Sequence, residues 1–449
     1  MSVQDCSAGS APAWVDRLVE TARETSYMRR CGTVTEVVGL TVASRGPATR
    51  IGEVCSISRG PDRSPLLAEV CGFRDDMVLL LPVGRADEIE TGARVTALGS
   101  DLCVPVGEPL LGRVIDATGR PLDDAGPLGA VERRPTRAAP PAAMRRLQVS
   151  EPLWVGVRAV DALLTCAKGQ RLGIFAGAGV GKSILLGMMA RHTSADATVI
   201  ALVGERGREV LQFVQQYVGD ALQRCVVVVA TSDEPPLARL KAGLTATTIA
   251  EHFRDRGMDV LLLMDSITRL ARAQREVGLA SGEIPTTRGH PPSVFTMLPE
   301  LLERAGPGET GTITGLYTVL VEADDMNEPI ADAVRATLDG HIVLSRDLAN
   351  RNHYPAIMVT ESVSRLMREV VSPEHREGAA RFRRLLAAYE DARDLISIGA
   401  YEQGTNPLVD EAVEMLGPMR DFLQQEPDDA TGPRQCMRLL AELMGSGDD

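Results

Sequence analysis

Lys182 and Ser183 close a glycine-rich run, Gly177-Ala178-Gly179-Val180-Gly181-Lys182-Ser183, set between an apolar strand-like stretch, Leu172–Ala176, and a helix-like one, ILLGMMARH. Strand, loop and helix in that order make a phosphate cradle: the glycines let successive main-chain N–H groups turn inward, and the helix start adds partial positive charge. Lys182 is then placed to reach the β- and γ-phosphates, and the Ser183 hydroxyl to take a Mg²⁺ position. The pattern opens on Ala176 where its strict form has glycine, a position at which small size suffices. Farther along, Val260-Leu261-Leu262-Leu263-Met264 ends in Asp265. An apolar strand that ends in a carboxylate delivers it to the carboxyl edge of the sheet, where it can hold the metal through water. Alone, such an aspartate reads as a solvated strand end; paired with the glycine loop it reads as a metal residue. Between the two, Thr198–Val203 runs into Gly204-Glu205-Arg206-Gly207-Arg208-Glu209. Hydrolysis needs a carboxylate near the γ-phosphate to polarise water, and Glu205, just beyond a parallel strand, is the candidate. Arg206 is placed to touch the γ-phosphate or to cross to a neighbouring subunit, and Arg208 is read as structural.

The elements that must hold these residues are legible as alternating runs. From about 99 to 370, apolar strands (Leu172–Ala176, Thr198–Val203, Val226–Ala230, Val260–Met264, Ile313–Val321, His341–Leu344) alternate with helical stretches, as in a parallel sheet covered on both faces. Residues 28–98 read as a small β-barrel, with short runs at Val34–Val38, Val54–Ile57, Leu67–Val70 and Met77–Leu81 separated by Gly and Pro turns. Residues 1–27 combine a Gly/Ser/Ala/Pro stretch with an amphipathic pattern of Trp14, Val15, Leu18, Val19 and Ala22, read either as a docking helix or as packing on its own domain. Residues 371–449 turn helical and Arg/Glu-rich and end in a polar tail. The fold class expected is α/β: a P-loop core with a mostly parallel sheet, an N-terminal barrel and a C-terminal helical domain.

The 449 residues carry 44% apolar and 24% charged side chains, the balance of a soluble globular protein. A net charge of -13 argues against nucleic acid or anionic lipid as the main partner. The barrel region agrees, since Phe73 is its only aromatic and base stacking needs several. Only Lys168, Lys182 and Lys241 are lysines. Eight scattered cysteines without C-x-x-C spacing read as reduced thiols of a cytosolic protein. The first residues show no secretory pattern, and apolar stretches such as Val260–Met264 fall far below the roughly 18 residues of a membrane span.

In order, the P-loop, GERGRE, the LLLMD strand end and Pro355-Ala356-Ile357…Ser362-Val363-Ser364-Arg365 resemble the rotary-type ATPase catalytic family, with its RecA-like core. TTRGHPPSVFTMLPELLERAG (286–306) and VLVEADDMNEPIADAVRATLDGHIVLSR (319–346) resemble its protein-export branch, the cytoplasmic hexameric ATPases of type III secretion and flagellar assembly. GLTVASRGPATRIGEVC (39–55) looks closer to the flagellar members. The resemblance implies ATP and Mg²⁺ as ligands, Arg365 as an arginine finger reaching across a subunit interface, Tyr354 as the aromatic that stacks on adenine, and Arg269 as a γ-phosphate or interface arginine. It implies a homohexamer, a stator-like regulator at the N-terminal helix, a coiled-coil stalk protein, membrane proteins of the export gate, and export chaperones and substrates, with the enzyme peripheral at the inner membrane. Two positions depart from the family pattern. Met358 stands where an acidic or small polar residue is usual, in the loop leading to the finger, and His290 replaces a tyrosine with an expected loop-lining role. Two other readings compete: a non-catalytic nucleotide-holding subunit, against which Glu205 argues because glutamine is typical there, and an RNA translocase of the terminator type, against which charge and barrel composition argue.

Overall fold

A computed structural model of the chain describes residues 29–321 and 328–445. The expected helix around Trp14, Val15, Leu18, Val19 and Ala22, and the end of the polar tail, lie outside the described residues. The chain divides into two compact units, one made of the chain up to Pro82 together with Ala86–Ser100, the other of Val83–Arg85 and the chain from Asp101 on.

In the first unit, β1 (Cys31–Val38), β2 (Thr41–Arg45), β3 (Val54–Ile57), β4 (Leu66–Arg74), β5 (Met77–Pro82) and β6 (Arg94–Ala97) close into a barrel in the order β1-β2-β5-β4-β3-β6. Closure leaves no unpaired sheet edge, and Val42, Cys55, Ile57, Ala68, Leu80 and Val95 fill the interior. β2 and β6 are additions to the four runs expected. β2 turns Val42 and Ser44 inward, and the Ser44 hydroxyl donates to the carbonyls of Thr33 and Gly46 at 3.1 and 2.6 Å. A buried serine satisfied in this way interrupts the apolar alternation by which a strand is recognised.

In the second unit, β7 (Cys103–Val106) pairs with β9 (Glu132–Pro135), and β10 (Pro152–Leu153) with β11 (Cys166–Ala167). The large sheet combines β8 (Arg113–Asp116), β12 (Arg171–Ala176), β13 (Ala197–Glu205), β14 (Cys225–Thr231), β15 (Asp259–Asp265), β17 (Thr312–Leu320), β18 (Gly340–Leu344) and β19 (Val363–Ser364). Their order is β19-β18-β12-β17-β15-β13-β14-β8, with the short β16 (Gly306–Pro307) antiparallel on β17. Neighbours along this path are parallel except β18 and β19. Every residue of β13 is buried, as parallel strands covered on both faces require. Around the sheet lie α1 (Arg158–Leu163), α2 (Lys182–His192), α3 (Gly207–Gln212), α4 (Pro236–Asp255) and α5 (Ile267–Ala280), and the chain ends in α6 (Pro373–Ser397), α7 (Pro407–Leu423) and α8 (Pro433–Met444). Phe382, Leu385, Phe422 and Leu440 of these last helices share one apolar core with Leu153, Leu163 and Ile174.

Candidate active site

The loop from β12 to α2 owes its shape to two glycines. Gly179 and Gly181 have φ of 79° and 88°, the left-handed region that side chains disfavour. A Cβ on Gly179 would meet nothing within 4 Å, so the loop faces open space, whereas one on Gly181 would sit 3.3 Å from Tyr354 Cε1. The aromatic therefore packs directly against the loop. No side chain caps α2, which leaves its first-turn N–H groups, those of Lys182 and Ser183 included, available to an anion.

Sheet order brings the charged residues together. Adjacent β13 and β15, paired Leu202 to Asp265, carry Glu205 and Asp265 to one carboxyl edge. Lys182 Nζ bonds Asp265 and lies 3.6 Å from Glu205 Oε1. Asp265 also accepts from the Thr318 hydroxyl of β17 at 2.7 Å. From α5, Arg269 donates to Glu205 Oε2 at 2.8 Å and to the Gly204 carbonyl. Gly204 has a φ of 72°, and the register slips between Val203 and Glu205, so Glu205 is the last residue of β13 rather than a loop residue beyond it. Arg269, expected at a phosphate or an interface, pairs within the chain with Glu205. Burial, and after it the Asp265 charge, push the Glu205 carboxyl above its ordinary range, while Lys182 and Arg269 pull the other way.

Glu205 is 8% exposed, and its Oε1 is buried without a hydrogen-bond partner. A buried, unpartnered carboxylate oxygen is costly and calls for an explanation. A water held against it would supply one. An ammonium, an unsatisfied carboxylate, an uncapped helix start, and oxygen donors on Ser183 and Asp265 together fit a nucleoside triphosphate with Mg²⁺, an ion that takes a few protein oxygens and completes its shell with phosphates and water.

Beside the loop, a cavity of about 390 Å³ is lined by Val180, Ile184, Met188, Tyr354, Gln424 and Pro427, which suits a flat base. Its floor depends on Gln425, which sequence reasoning missed. The Gln425 main-chain N–H donates to the Tyr354 carbonyl at 2.9 Å. Its side-chain amide donates to the carbonyls of Gly156 and Asp429 at 2.9 and 2.8 Å and accepts from Arg158 N–H at 2.8 Å. No motif marks this glutamine, because its partners lie up to 269 residues away. Gln425→Ala strands the buried Gly156 carbonyl, a loss of about 1–3 kcal/mol. The expected result is a several-fold rise in KM for ATP with kcat little changed, read from steady-state kinetics beside a melting curve.

Other predicted residues fall elsewhere. The side chain of Arg206 is 74% exposed and pairs with Glu209 at 3.2 Å, at the rim of the site. Arg208 is no packing element: its side chain is 81% exposed, 4.0 Å from Glu209. His290 sits in the 286–290 turn, buried and edge-on to Phe295 at 6.2 Å. Met358 leaves the loop intact because main-chain groups hold it, its N–H donating to Val343 at 2.8 Å and its carbonyl accepting the Ser362 hydroxyl at 2.6 Å. Arg365 is exposed, and its N–H donates to the Asp339 carbonyl at 3.1 Å, at the amino end of the sheet.

A phosphate loop, an opposed pair of acidic strand ends and a parallel sheet define a P-loop NTPase. The chain belongs to the ATP synthase alpha/beta family: residues 156–364 match the model of its nucleotide-binding domain and residues 34–99 that of its beta-barrel domain, while residues 371–442 match the T3SS EscN ATPase C-terminal domain. It is 50% identical over 431 residues to the flagellum-specific ATP synthase of Bacillus subtilis (strain 168), covering 96% of this chain and 98% of that one. It is also 50% identical over 416 residues to the type 3 secretion system ATPase of Xanthomonas euvesicatoria, covering 92% and 94%. Among solved structures it resembles the assembled ATPase EscN of the enteropathogenic E. coli type III secretion system, with a TM-score of 0.86 and 46% identity over 92% of this chain and 100% of that one. EscN in complex with its central stalk EscO gives a TM-score of 0.85 at 46% identity, over 92% and 100% of the two chains. No helix among the described residues is long and apolar enough to cross a membrane.

Proposed function

We propose that this ATPase hydrolyses Mg·ATP to energise protein export through a type III secretion apparatus, the flagellar one. The unsatisfied Glu205 Oε1 facing Lys182 carries the catalytic part of the reading, since a subunit that merely held nucleotide would need no buried carboxylate there. Lys182 binds the β- and γ-phosphates, Glu205 accepts a proton from the attacking water, Arg269 holds Glu205 in place, and Tyr354 flanks adenine. Gly177, Ala178, Gly179, Val180 and Gly181 offer main-chain N–H groups. Ser183 and, through water, Asp265 would hold Mg²⁺, which when bound would supply positive charge against the terminal phosphates. Arg206 and Arg365 serve a neighbouring copy. The Bacillus relative, which spans 96% of this chain, supports the flagellar assignment; the Xanthomonas relative and EscN support an injectisome as the second reading.

The likeness to assembled EscN and to its complex with EscO supports a homohexamer with a coiled-coil stalk partner. The reading extends to a docking segment at 1–27 for a stator-like regulator, a barrel collar at 28–98, an ATPase domain at 99–370 and a helical domain at 371–449. It places the enzyme in the cytoplasm at the export gate, engaging chaperones and export substrates and no nucleic acid. Deleting the gene is expected to abolish flagellar filaments, with rescue by the wild-type chain and none by Lys182→Ala. Filaments that persist while secretion of effectors stops would transfer the assignment to an injectisome.

A further inference from the structure

The two serines of Ser362-Val363-Ser364-Arg365 fasten this segment at separate points. The Ser362 hydroxyl accepts from Val343 N–H at 2.9 Å and donates to the Met358 carbonyl. The Ser364 hydroxyl donates to the Thr165 carbonyl at 2.8 Å and accepts from Gln170 Nε2 at 3.0 Å. Gln170 Nε2 also donates to the Asp339 carbonyl at 3.1 Å, the same oxygen that accepts the Arg365 N–H. Asp339 is itself clamped. Arg171 donates to its carboxylate from the main chain at 3.0 Å and from Nε and Nη2 at 3.0 and 3.1 Å, and the Asp339 N–H returns to the Arg171 carbonyl at 2.9 Å. Gly340 follows, where a Cβ would come within 2.3 Å of the Val363 carbonyl oxygen, so β18 and β19 can approach only with glycine there.

We infer that Asp339 and Gln170 are positioning residues that register Arg365 to the first residue of β12. The same strand ends in the phosphate loop, so it is a strut joining each copy's own phosphates to the arginine it offers the next copy. This rests on the proposed action of Arg365 in a neighbouring site. A guanidinium displaced by about 1 Å from its productive position loses on the order of 10²-fold in rate. Asp339→Asn keeps the shape of the side chain but weakens the hold of Arg171, and Ser364→Ala removes the second tether without touching the half-buried ion pair.

Each variant is expected to melt as a folded protein, to keep the wild-type KM for ATP and to lose at least tenfold in kcat. Mixing with Lys182→Ala chains separates positioning from folding, because those chains have a dead site but a correctly set arginine. Rescue toward about a quarter of the wild-type rate is expected when equal amounts are mixed, since half the sites are intact and half of those face a good neighbour. Arg365→Ala mixed with Lys182→Ala is the control for the underlying reading. If the control is rescued and Asp339→Asn and Ser364→Ala are not, the positioning role is wrong while Arg365 stands. If the control also fails, cross-copy action is wrong and the strut falls with it. A rise in KM with kcat unchanged overturns the inference on its own.

Discussion

Glu205→Gln is expected to abolish ATP hydrolysis while leaving ATP binding at wild-type strength or better; Lys182→Ala is expected to abolish both. The two side chains lie within 3.6 Å of each other, yet in the proposed reaction their charges act on different stages. Lys182 is the cation that offsets Asp265 and Glu205 at the mouth of the phosphate loop. Without it, two buried carboxylates face an incoming triphosphate, and breaking a buried ion pair costs about 3–5 kcal/mol before any phosphate contact is counted. Glutamine at 205 still accepts from Arg269, so the loop keeps its anchor and one repulsive charge disappears. It cannot take a proton from water, and loss of a general base lowers the rate by about 10²–10⁴. Binding measured by nucleotide titration and hydrolysis by phosphate release decide the matter; equal loss of binding in both variants would move the base to another residue. The pH profile adds a sign. Glu205 must be ionised to act, and burial raises its pKa, so the acid limb of kcat/KM should lie above the usual carboxylate range. Arg269→Gln removes a charge that lowers that pKa, so the limb should move further up.

What the chain discloses without a structure follows the distance over which each residue acts. The phosphate loop and Asp265 are local objects, a glycine pattern and an apolar run with a charged end, and both stand where their periodicity puts them. Glu205 was legible as a residue and misplaced by position, because the bulge at Gly204 that carries it into the strand is a pairing event between β13 and β14. Arg269 was visible one helical turn past Asp265, but its clamp on Glu205 depends on β13 lying beside β15, and sheet order cannot be read from strand content. Gln425 and Asp339 had no signal. Both are buried or half-buried polar residues whose meaning lies in carbonyls supplied from distant segments. Arg208 faces solvent on the short α3, a helix too brief for periodicity to show which way a side chain faces.

Arg365→Ala should leave nucleotide affinity unchanged and remove about 10³–10⁵-fold in rate from the assembled enzyme, the range of arginine fingers supplied by a partner. The geometry of one copy supports the proposed partner role. Asp339, which holds the Arg365 main chain, lies beside Arg171 at the start of β12, whereas the phosphate loop begins after Ala176 at its far end. Five strand residues separate the two levels by about 17 Å, beyond the reach of an arginine side chain. An exposed guanidinium on that edge is remote from its own phosphate loop, which supports the proposal that in a ring, where each copy turns the same face to the next, it serves the neighbour's. The wild-type rate per chain should accordingly climb with protein concentration as rings form, and the variant's should stay flat over the same range. Size measurements on both must show equal assembly, so that the missing rate belongs to the guanidinium and not to a lost ring. A wild-type rate independent of concentration, or an Arg365→Ala chain that binds ATP more weakly as a monomer, would return the arginine to its own copy and contradict the strand geometry that sets it apart.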